Sequence, residues 1–304
     1  MPEFISKVQH DNYEKGEFSD EKVRNLEETI ELIRSFPFDA ERNLTDIQLT
    51  GPSVTIQDGY VNYLKVGLYF NGKFCVYYLD NNNHLYEYYV LSVDEACNLV
   101  TDFFTETLDL SKFEKQLFKI GSRKHFENGN FDYAINPSKF YLRFIFTLLF
   151  GLPFFFSGIA LTQIEPFLIK YSFILAWFLL TCQFVYILFL IIGYYLKSKN
   201  MFLHLSAGDN SFQFGIGDEI KDYNKSDITH INIYRCRRSR KVVLFDPVFN
   251  VVEIKFNDNS TIEFPGFLID QISFQKKFPN NQTTIIYQIS KVTMRRLKFV
   301  FNKG

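Results

Sequence analysis

Two long apolar stretches in the middle of the chain most constrain how it can fold. Residues 144–164 are 21 consecutive positions without Asp, Glu, Lys, Arg or His, and residues 171–196 are 26 more. As helices they reach about 32 and 39 Å, against a hydrocarbon core about 30 Å thick. The short connection between them contains Glu165-Pro166, which disfavours a continuous helix. We therefore predict two transmembrane helices, at about residues 140–162 and 168–196.

The alternative is a helix pair buried in a large soluble core, which the length of both uncharged runs disfavours. No ionisable residue lies at mid-bilayer depth, and this argues against a transporter or pump. The flanking basic residues are Arg123, Lys124, Lys139, Arg143, Lys197 and Lys199, whereas the connection offers only Lys170. This distribution predicts a multi-pass protein of the inner (cytoplasmic) membrane with both termini in the cytoplasm.

The rest of the chain leaves room for two further domains of roughly 100 to 135 residues each. We predict an α+β domain at residues 1–110, a juxtamembrane linker at 111–139, the helical hairpin at 140–196 and a mostly-β domain with a basic tail at 201–304. The net charge of −1 argues against nucleic-acid binding by the whole chain. The four cysteines (Cys75, Cys97, Cys182 and Cys236) show no CxxC spacing and are predicted to be isolated thiols of a reducing compartment.

The first domain is predicted to fold as a helix, a β-meander and a second helix. The recurrence of Val23, Leu26, Ile30 and Ile33 predicts an amphipathic helix from Asp20 to Ser35. A strand is expected at residues 53–57. Residues 92–95 (SVDE) fit a capping box for the last helix, which is expected to end near residue 107. The sheet is expected to have one face covered by its helices.

Asn71-Gly72, between two alternating β-rich runs, predicts a two-residue type I′ hairpin. That pairing sets Leu64, Val66 and Leu68 opposite Leu79, Tyr77 and Cys75 on the face taken as the core.

The second face of this sheet is predicted to be rich in tyrosine. Aromatic residues dominate interface cores, so this face is a candidate partner-binding surface. The candidate residues are Tyr69, Tyr78, Tyr86, Tyr88 and Tyr89. The alternative is that these tyrosines pack beneath the helices.

The run LKVGLYFNGKFCVYYLD, followed by HLYEYY and SVDEACNLVTDFF, resembles small immunity domains encoded beside polymorphic interbacterial toxins, especially in Bacteroidetes. The resemblance covers about residues 22–107. It implies a protein that neutralises a cognate toxin by binding it, with no catalytic residue and no binding residue carried over by position.

Short alternating strands are predicted after residue 199. They lie at residues 202–205, 211–216, 228–234, 242–245, 251–256 and 261–264, with a helix near 268–278, and they suggest a partly open β-barrel. The runs KSDITHINIY and VVEIKFNDNSTIEF resemble bacterial pleckstrin-homology-like (PH-like) domains, over about residues 201–288. Such domains often follow paired transmembrane helices directly.

A basic segment lies between two of these strands. Its candidate lipid-binding residues are Arg235, Arg237, Arg238, Arg240 and Lys241. Near a membrane surface each such charge contributes about 1 kcal/mol of attraction to anionic headgroups. The alternatives are a solvated loop or, less favoured, a nucleic-acid contact.

No motif for an enzyme, a metal or a cofactor is found. The five histidines are scattered, and Gly215-Ile216-Gly217 lacks the rest of a nucleotide fingerprint, so we expect a bend there. We predict a non-enzymatic membrane-anchored immunity protein. The alternative is a membrane-surface scaffold or sensor whose PH-like domain binds anionic lipid or a partner protein.

Overall fold

A computed structural model describes residues 2–42, 49–117, 121–138, 140–142, 144–146, 148–149, 167–234, 250–278, 283–286 and 298–299. The chain divides into two compact units. The first unit comprises residues 1–131 with 206–210, and the second comprises residues 132–205 with 211–304. Each unit has its own hydrophobic core.

The first unit is built on one seven-stranded antiparallel sheet with the strand order β2-β1-β3-β4-β5-β6-β7. The strands are β1 (Phe4–Gln9), β2 (Ser19–Arg24), β3 (Ser53–Gln57), β4 (Tyr63–Leu68), β5 (Phe74–Leu79), β6 (Leu85–Val90) and β7 (Glu114–Gln116). The bounds of β3 are as predicted, and the predicted β-meander is present as β4 to β6. Strands β1, β2 and β7 are additional, and β7 brings part of the predicted linker into the first sheet.

Three helices complete the unit: α1 (Leu26–Ser35), α2 (Phe38–Glu41) and α3 (Val93–Phe104). The prediction of a helix that begins at Asp20 is wrong for its first turn, because residues 20–24 lie in β2. Asn25 begins the helix instead. Its side chain accepts a hydrogen bond from Glu28 N, and the Glu28 carboxylate accepts one from Asn25 N, both at 3.0 Å. This reciprocal pair satisfies two amides at the helix start.

The predicted cap of α3 is formed in part. The Ser92 side chain accepts a hydrogen bond from Glu95 N at 3.2 Å. The Glu95 carboxylate accepts from Leu91 N at 2.8 Å, rather than from Ser92 N as a complete box requires. Ala96, Val100 and Phe103 are buried, as the predicted inward stripe requires.

The hairpin between β4 and β5 corrects the predicted register by one residue. Asn71 and Gly72 do take positive φ angles, +55° and +79°. The ladder, however, ends at the pair Leu68↔Phe74, and Tyr69 N donates to Lys73 O across a longer connection. Because a one-residue slip exchanges the two faces of a strand, the residues opposite Leu64, Val66 and Leu68 are Tyr78, Val76 and Phe74. Leu79, Tyr77 and Cys75 lie on the other face.

Both faces of the sheet are covered, which corrects the expectation of one free face. Val54, Ile56, Val66 and Val76 join the helices in the larger core. On the opposite face Tyr63, Cys75, Tyr77, Leu79 and Leu85 form a second cluster beneath Phe126, which is completely buried. Residues 121–131, predicted as linker, therefore belong to the folded body of the first unit.

The second unit contains two four-stranded sheets, with strand orders β11-β10-β9-β8 and β14-β13-β12-β15. The strands are β8 (Asp132–Ala134), β9 (Met201–His204), β10 (Ser211–Ile216), β11 (Glu219–Asn224), β12 (Ile228–Tyr234), β13 (Val251–Phe256), β14 (Thr261–Pro265) and β15 (Thr283–Ile286). The bounds of β10, β12 and β13 are as predicted, and those of β9 and β14 differ by one residue at one or both ends. The predicted strand at residues 242–245 lies outside the described residues.

The described helices of this unit with assigned bounds are α4 (Phe167–Ser198) and α5 (Gln271–Lys276). Within α4, residues 177–198 are long and apolar enough to cross a membrane, judged by length and composition. Helical backbone is also present at residues 137–138, 140–142, 144–146 and 148–149. Most of the first predicted span lies outside the described residues, so the two-helix hairpin stays a prediction.

Strand β8 lies before the apolar segment in the chain but pairs with β9 after it, through Asp132↔His204, Tyr133↔Leu203 and Ala134↔Phe202. The apolar segment is thus inserted between two neighbouring strands of one sheet. Sequence analysis began this domain at residue 201, because a three-residue strand carries no readable alternation.

A tight turn joins β10 to β11 where the bend at residues 215–217 was predicted. Gly217 takes φ +63°, and Gly215 faces the backbone of the returning strand. A Cβ at Gly215 would lie 2.3 Å from Glu219 O, which is a steric overlap. Glycine is required at 215 because only hydrogen fits there.

We expect Gly215→Ala to lower the thermal midpoint of the second unit, because β11 must shift away from β10 to relieve the overlap. The loss should be about 1 to 3 kcal/mol, as for other overpacked sites. Gly59→Ala is the matched control, since a Cβ there meets nothing within 4 Å. Thermal unfolding followed by circular dichroism measures both variants. Equal midpoints for the two variants would contradict this packing.

Candidate functional site

The five predicted partner-binding tyrosines do not share one surface. Tyr78, Tyr86 and Tyr88 pack against the core on the helix side, and Tyr69 packs against the cluster on the opposite side. Tyr89 lies beside Tyr69, with ring centroids 4.4 Å apart. The split follows from the corrected register and from the alternation of side chains along a strand.

Only the pair of Tyr69 and Tyr89 retains a rim-like position. Tyr89 is 39% exposed, and neighbouring Phe70 is exposed at the hairpin tip with its ring 5.2 Å from that of Tyr69. On the helix side, Tyr88 stacks near Phe113 at 5.2 Å and Tyr78 meets Phe103 edge-on at 6.2 Å. Tyr78 and Tyr88 therefore pack on the helix side of the sheet, as the alternative prediction stated.

A buried row of polar residues crosses five strands on the second face of the sheet. The row is Lys7, Thr55, Lys65, Tyr77 and Glu87, each directly paired with the next. All five are at most 6% exposed. Thr55 Oγ1 makes no hydrogen bond within the part of the chain that the structure describes. Polar groups in such a place need partners, because burial removes their bonds to water.

Lys65 is the most enclosed charge in this row. Its Nζ donates to Gln9 Oε1 at 2.7 Å and to the backbone oxygen of His125 at 3.0 Å, so both acceptors are neutral. Burial, and then the nearby ammonium of Lys7, lower the pKa of Lys65 to about 7. Lys7 is also buried and its pKa is lowered by burial, although Glu21 and Glu127 oppose this shift.

The Glu87 end of the row forms a network with two other side chains. Its Oε2 accepts hydrogen bonds from Tyr89 OH and from Gln116 Nε2, each at 3.1 Å. Burial and the neighbouring Glu87 carboxylate raise the pKa of Tyr89. Tyr89 is therefore held as a neutral phenol, and the hydrogen bond from Gln116 to Glu87 ties the edge strand β7 to β6.

The depressed pKa of Lys65 predicts a pH-dependent stability of the first unit. Between pH 7 and about 10.5 the unfolded chain binds a proton at this lysine that the folded chain does not, so stability rises with pH across that window. Each unit of depression corresponds to about 1.4 kcal/mol. Below pH 7 both states are protonated and this contribution is constant.

We expect Lys65→Met to reduce this rise, because the variant has no group to titrate at position 65 and only the lowered pKa of Lys7 still contributes. The urea midpoint of the first unit, measured by pulse proteolysis of the full chain in detergent, is compared at pH 7 and pH 10. The exposed Lys15→Met is the control and should keep the rise of the unchanged protein. A Lys65→Met protein that still gains stability from pH 7 to 10 to the same extent would sink this account.

In the second unit, the candidate lipid-binding residues Arg235, Arg237, Arg238, Arg240 and Lys241 lie outside the described residues. The strands on either side of them are described. Tyr234, the residue before the segment, pairs with Val251, and Val251 pairs with Pro265. Gly266 N donates to Asn250 O at 2.8 Å, so these residues form a connected stem.

This stem, residues 234, 250–251 and 265–267, lies against the end of the apolar helix α4. The rings of Phe267 and Tyr194 meet at 6.1 Å, and Tyr194 is completely buried. Tyr194 lies four residues before the last residue of α4, a helical rise of about 6 Å. The described residues that flank the basic segment are therefore connected, through the stem and Phe267, to the polar end of the one described helix that could span a bilayer.

A buried carboxylate fixes the sheet next to the stem. Glu253 Oε2 accepts hydrogen bonds from Asn232 Nδ2 and from Tyr234 OH, both at 2.9 Å. The Asn250 side-chain oxygen is buried and makes no hydrogen bond to the described residues. The last residue before the basic segment is thus held by its side chain as well as by the strand ladder.

Three of the described histidines each contact a different carboxylate rather than forming a shared site. His10 contacts Glu41 at 2.6 Å, His84 contacts Asp80 at 2.9 Å and His204 contacts Asp132 at 2.7 Å. Among the described residues, no group of three or more His, Cys, Asp or Glu side chains is placed to hold a metal ion.

The two short sheets of the second unit and the helix α5 after β14 agree with a PH-like domain. The sequence model of the family described as PH domain matches residues 132–277. The match includes strand β8, in agreement with its pairing to β9. Neither the search of curated proteins nor the search of solved structures found a match.

Sequence analysis missed the buried polar row and an open cleft on the other face of the first unit. Lys, Thr and Glu usually lie at the protein surface, so the sequence does not indicate that Lys7, Thr55 and Glu87 are buried. Only the fixed cross-strand register reveals that they are neighbours, and that register depends on turn lengths.

Proposed function

We propose that the protein is a non-enzymatic module of the bacterial inner membrane, anchored by two spans, whose PH-like domain binds anionic lipid headgroups through the basic segment at residues 235–241. The observation that carries this proposal is the position of the stem beside Tyr194 of α4. Five charges on such a segment would each contribute about 1 kcal/mol near an anionic surface.

The two-span anchor is supported by the pairing of β8 with β9. Both strands belong to one sheet, so the chain leaves and re-enters the domain on the same side of the membrane. A chain that crosses at α4 must then cross a second time between residues 135 and 200. The uncharged residues 144–164 supply the length for that crossing.

Contacts at the base of the two segments agree with a hairpin. The ring of Phe140, near the start of the first stretch, stacks on Tyr195 near the end of α4, with centroids 3.9 Å apart. Leu175, Phe178, Leu179, Leu180 and Val185 are each more than half exposed, as lipid-facing residues are. A core helix of a soluble protein would have its large apolar side chains covered.

We expect Arg237→Glu together with Arg238→Glu to reduce the preference for phosphatidylglycerol over phosphatidylcholine by about tenfold or more, because two charges change sign and the net charge toward the headgroups changes by four units. Native mass spectrometry of the full chain, released from micelles that contain both lipids, counts the lipids retained.

The matched control is Lys221→Glu together with Lys255→Glu. These lysines are exposed on β11 and on the far end of β13, away from the stem. The control should retain the preference of the unchanged protein. An equal loss in both variants would reduce the effect to net charge, and no loss in the first variant would refute the lipid site.

We expect a cysteine placed at Gln163 to react with a membrane-impermeant maleimide added outside spheroplasts, and a cysteine at Lys199 to react only after lysis. The reason is that a two-span protein exposes only the connection between its spans. Both variants are made after replacement of the four native cysteines by serine. Labelling of Lys199→Cys in intact spheroplasts would overturn the predicted topology.

Neutralisation of a cognate toxin by the first unit stays a second hypothesis. The resemblance of residues 22–107 to immunity domains supports it, but the described surfaces favour no particular toxin. Protection of a sensitive cell by co-expression with a toxin encoded next to this gene is the observation that it requires.

A further inference from the structure

An open cleft of about 520 Å³ lies on the helix side of the first unit, where β1, the β3–β4 turn and the end of α3 meet. Its apolar lining includes the rings of Phe4, Tyr78 and Phe103 together with Leu108 and Leu110. Pockets of this size hold drug-sized ligands or a few residues of a peptide. The cleft is separate from the PH-like domain, so what it binds does not depend on the proposed lipid function.

Two carboxylates face this aromatic lining. Asp58 is held in place, because it accepts hydrogen bonds from Tyr60 N and Asn62 N at 2.9 Å and from Asn62 Nδ2 at 2.6 Å. Glu106 is exposed and follows the end of α3. Within the described residues neither carboxylate has a lysine, arginine or histidine within salt-bridge distance, and so their charge is left for a ligand.

The electrostatic surroundings of Tyr78 agree with a negative cleft. The pKa of this phenol is raised by burial and further by the carboxylates of Asp58 and Asp80. A cation is attracted both by such carboxylates and by the faces of aromatic rings. An anionic or purely apolar ligand would have to bring its surface against unpaired negative charge.

We propose that this cleft receives an arginine or lysine side chain presented by a partner protein. A guanidinium or ammonium group would lie between the two carboxylates and the Tyr78 ring, in the way that cations bind aromatic faces. The cleft is larger than one such group needs, and the Tyr60 ring at its rim is 81% exposed. That extra apolar and aromatic surface suits the residues that flank a basic side chain in a polypeptide, rather than a small free amine.

The test measures binding of an acetylated, amidated peptide of three Arg-Gly repeats, carrying fluorescein, to the full chain in neutral detergent by fluorescence anisotropy. The same peptide with glutamate in place of arginine should not bind. Asp58→Asn and Glu106→Gln should each weaken binding of the arginine peptide by about threefold, the usual size of a partly exposed charge contact. Asparagine retains the oxygen that Tyr60 N and Asn62 N require and loses only the acceptor of Asn62 Nδ2, and Glu106 is exposed, so both variants should fold.

Variants at Tyr78 separate a ring contact from simple charge attraction. Tyr78→Phe should bind like the unchanged protein, and Tyr78→Leu should bind about threefold more weakly, because only the ring face attracts the cation. The matched control is Glu27→Gln, an exposed carboxylate on α1 outside the cleft, which should change nothing.

Three outcomes would overturn the proposal. The first is no binding of the arginine peptide, or equal binding of the glutamate peptide. The second is unchanged affinity in both Asp58→Asn and Glu106→Gln. The third is competition by spermidine at the same charge concentration as the unlabelled peptide, which would assign the cleft to small amines.

Discussion

The packing of one end of the apolar helix into the second unit is the contact on which the arrangement of the membrane-proximal half depends. Leu190, Ile191 and Tyr194 are almost fully buried and belong to the same core as the strands of both small sheets. A helix held in this way is a rigid continuation of the domain rather than a tether. The distance from the end of the helix to the stem is therefore fixed by close packing, which resists displacement.

The first unit depends on a different constraint. Its sheet is covered on both faces, and yet it contains a buried row of polar side chains. Burial of Lys65 with only neutral acceptors is unfavourable for its charged form, and this explains why its pKa falls toward neutrality. The apolar cluster around Phe126 and the hydrogen bonds to Gln9 and His125 keep this side chain enclosed. The same enclosure removes most of the second face from the surface. The rims of this unit and the cleft on its helix side stay exposed.

The parts of the structure that could be predicted are those whose residues show a clear hydrophobic alternation. Strands β10, β12 and β13 were placed correctly because apolar residues alternate with polar ones, as Ile231 and Ile233 do on the inner face. Strand β11 was missed because its residues are almost all exposed, and β8 because three residues hold no period. The positive φ angles of Asn71 and Gly72 were predicted correctly, but the strand register was wrong. The turn sequence determines the conformation of these two residues only, whereas the register also depends on the residues that flank the turn.

The candidate sites were harder to predict, for a related reason. Tyr88 and Tyr89 are adjacent in sequence, and composition alone groups them, but adjacent residues of a strand point to opposite faces. The cleft combines residues from β1, the β3–β4 turn, β5 and the segment after α3, and no local pattern joins segments so far apart. What the sequence does predict is the basic segment and its neighbouring strands, because both are continuous in the chain.

The apolar segment lies between β8 and β9, so the proposed two-span anchor would give the membrane a part in folding the PH-like domain. Closing a long loop costs conformational entropy before the strand pair at its ends contributes any stability. The proposed helical hairpin in the bilayer would remove most of that cost, since it would bring the base of its first helix beside the end of its second. The stacking of Phe140 on Tyr195 lies at that base, a few residues from the paired strands. Under this proposal the bilayer would act as the template that closes the sheet of β8 to β11. A chain whose apolar segment failed to insert would then lose the pairing of β8 with β9 along with its anchor.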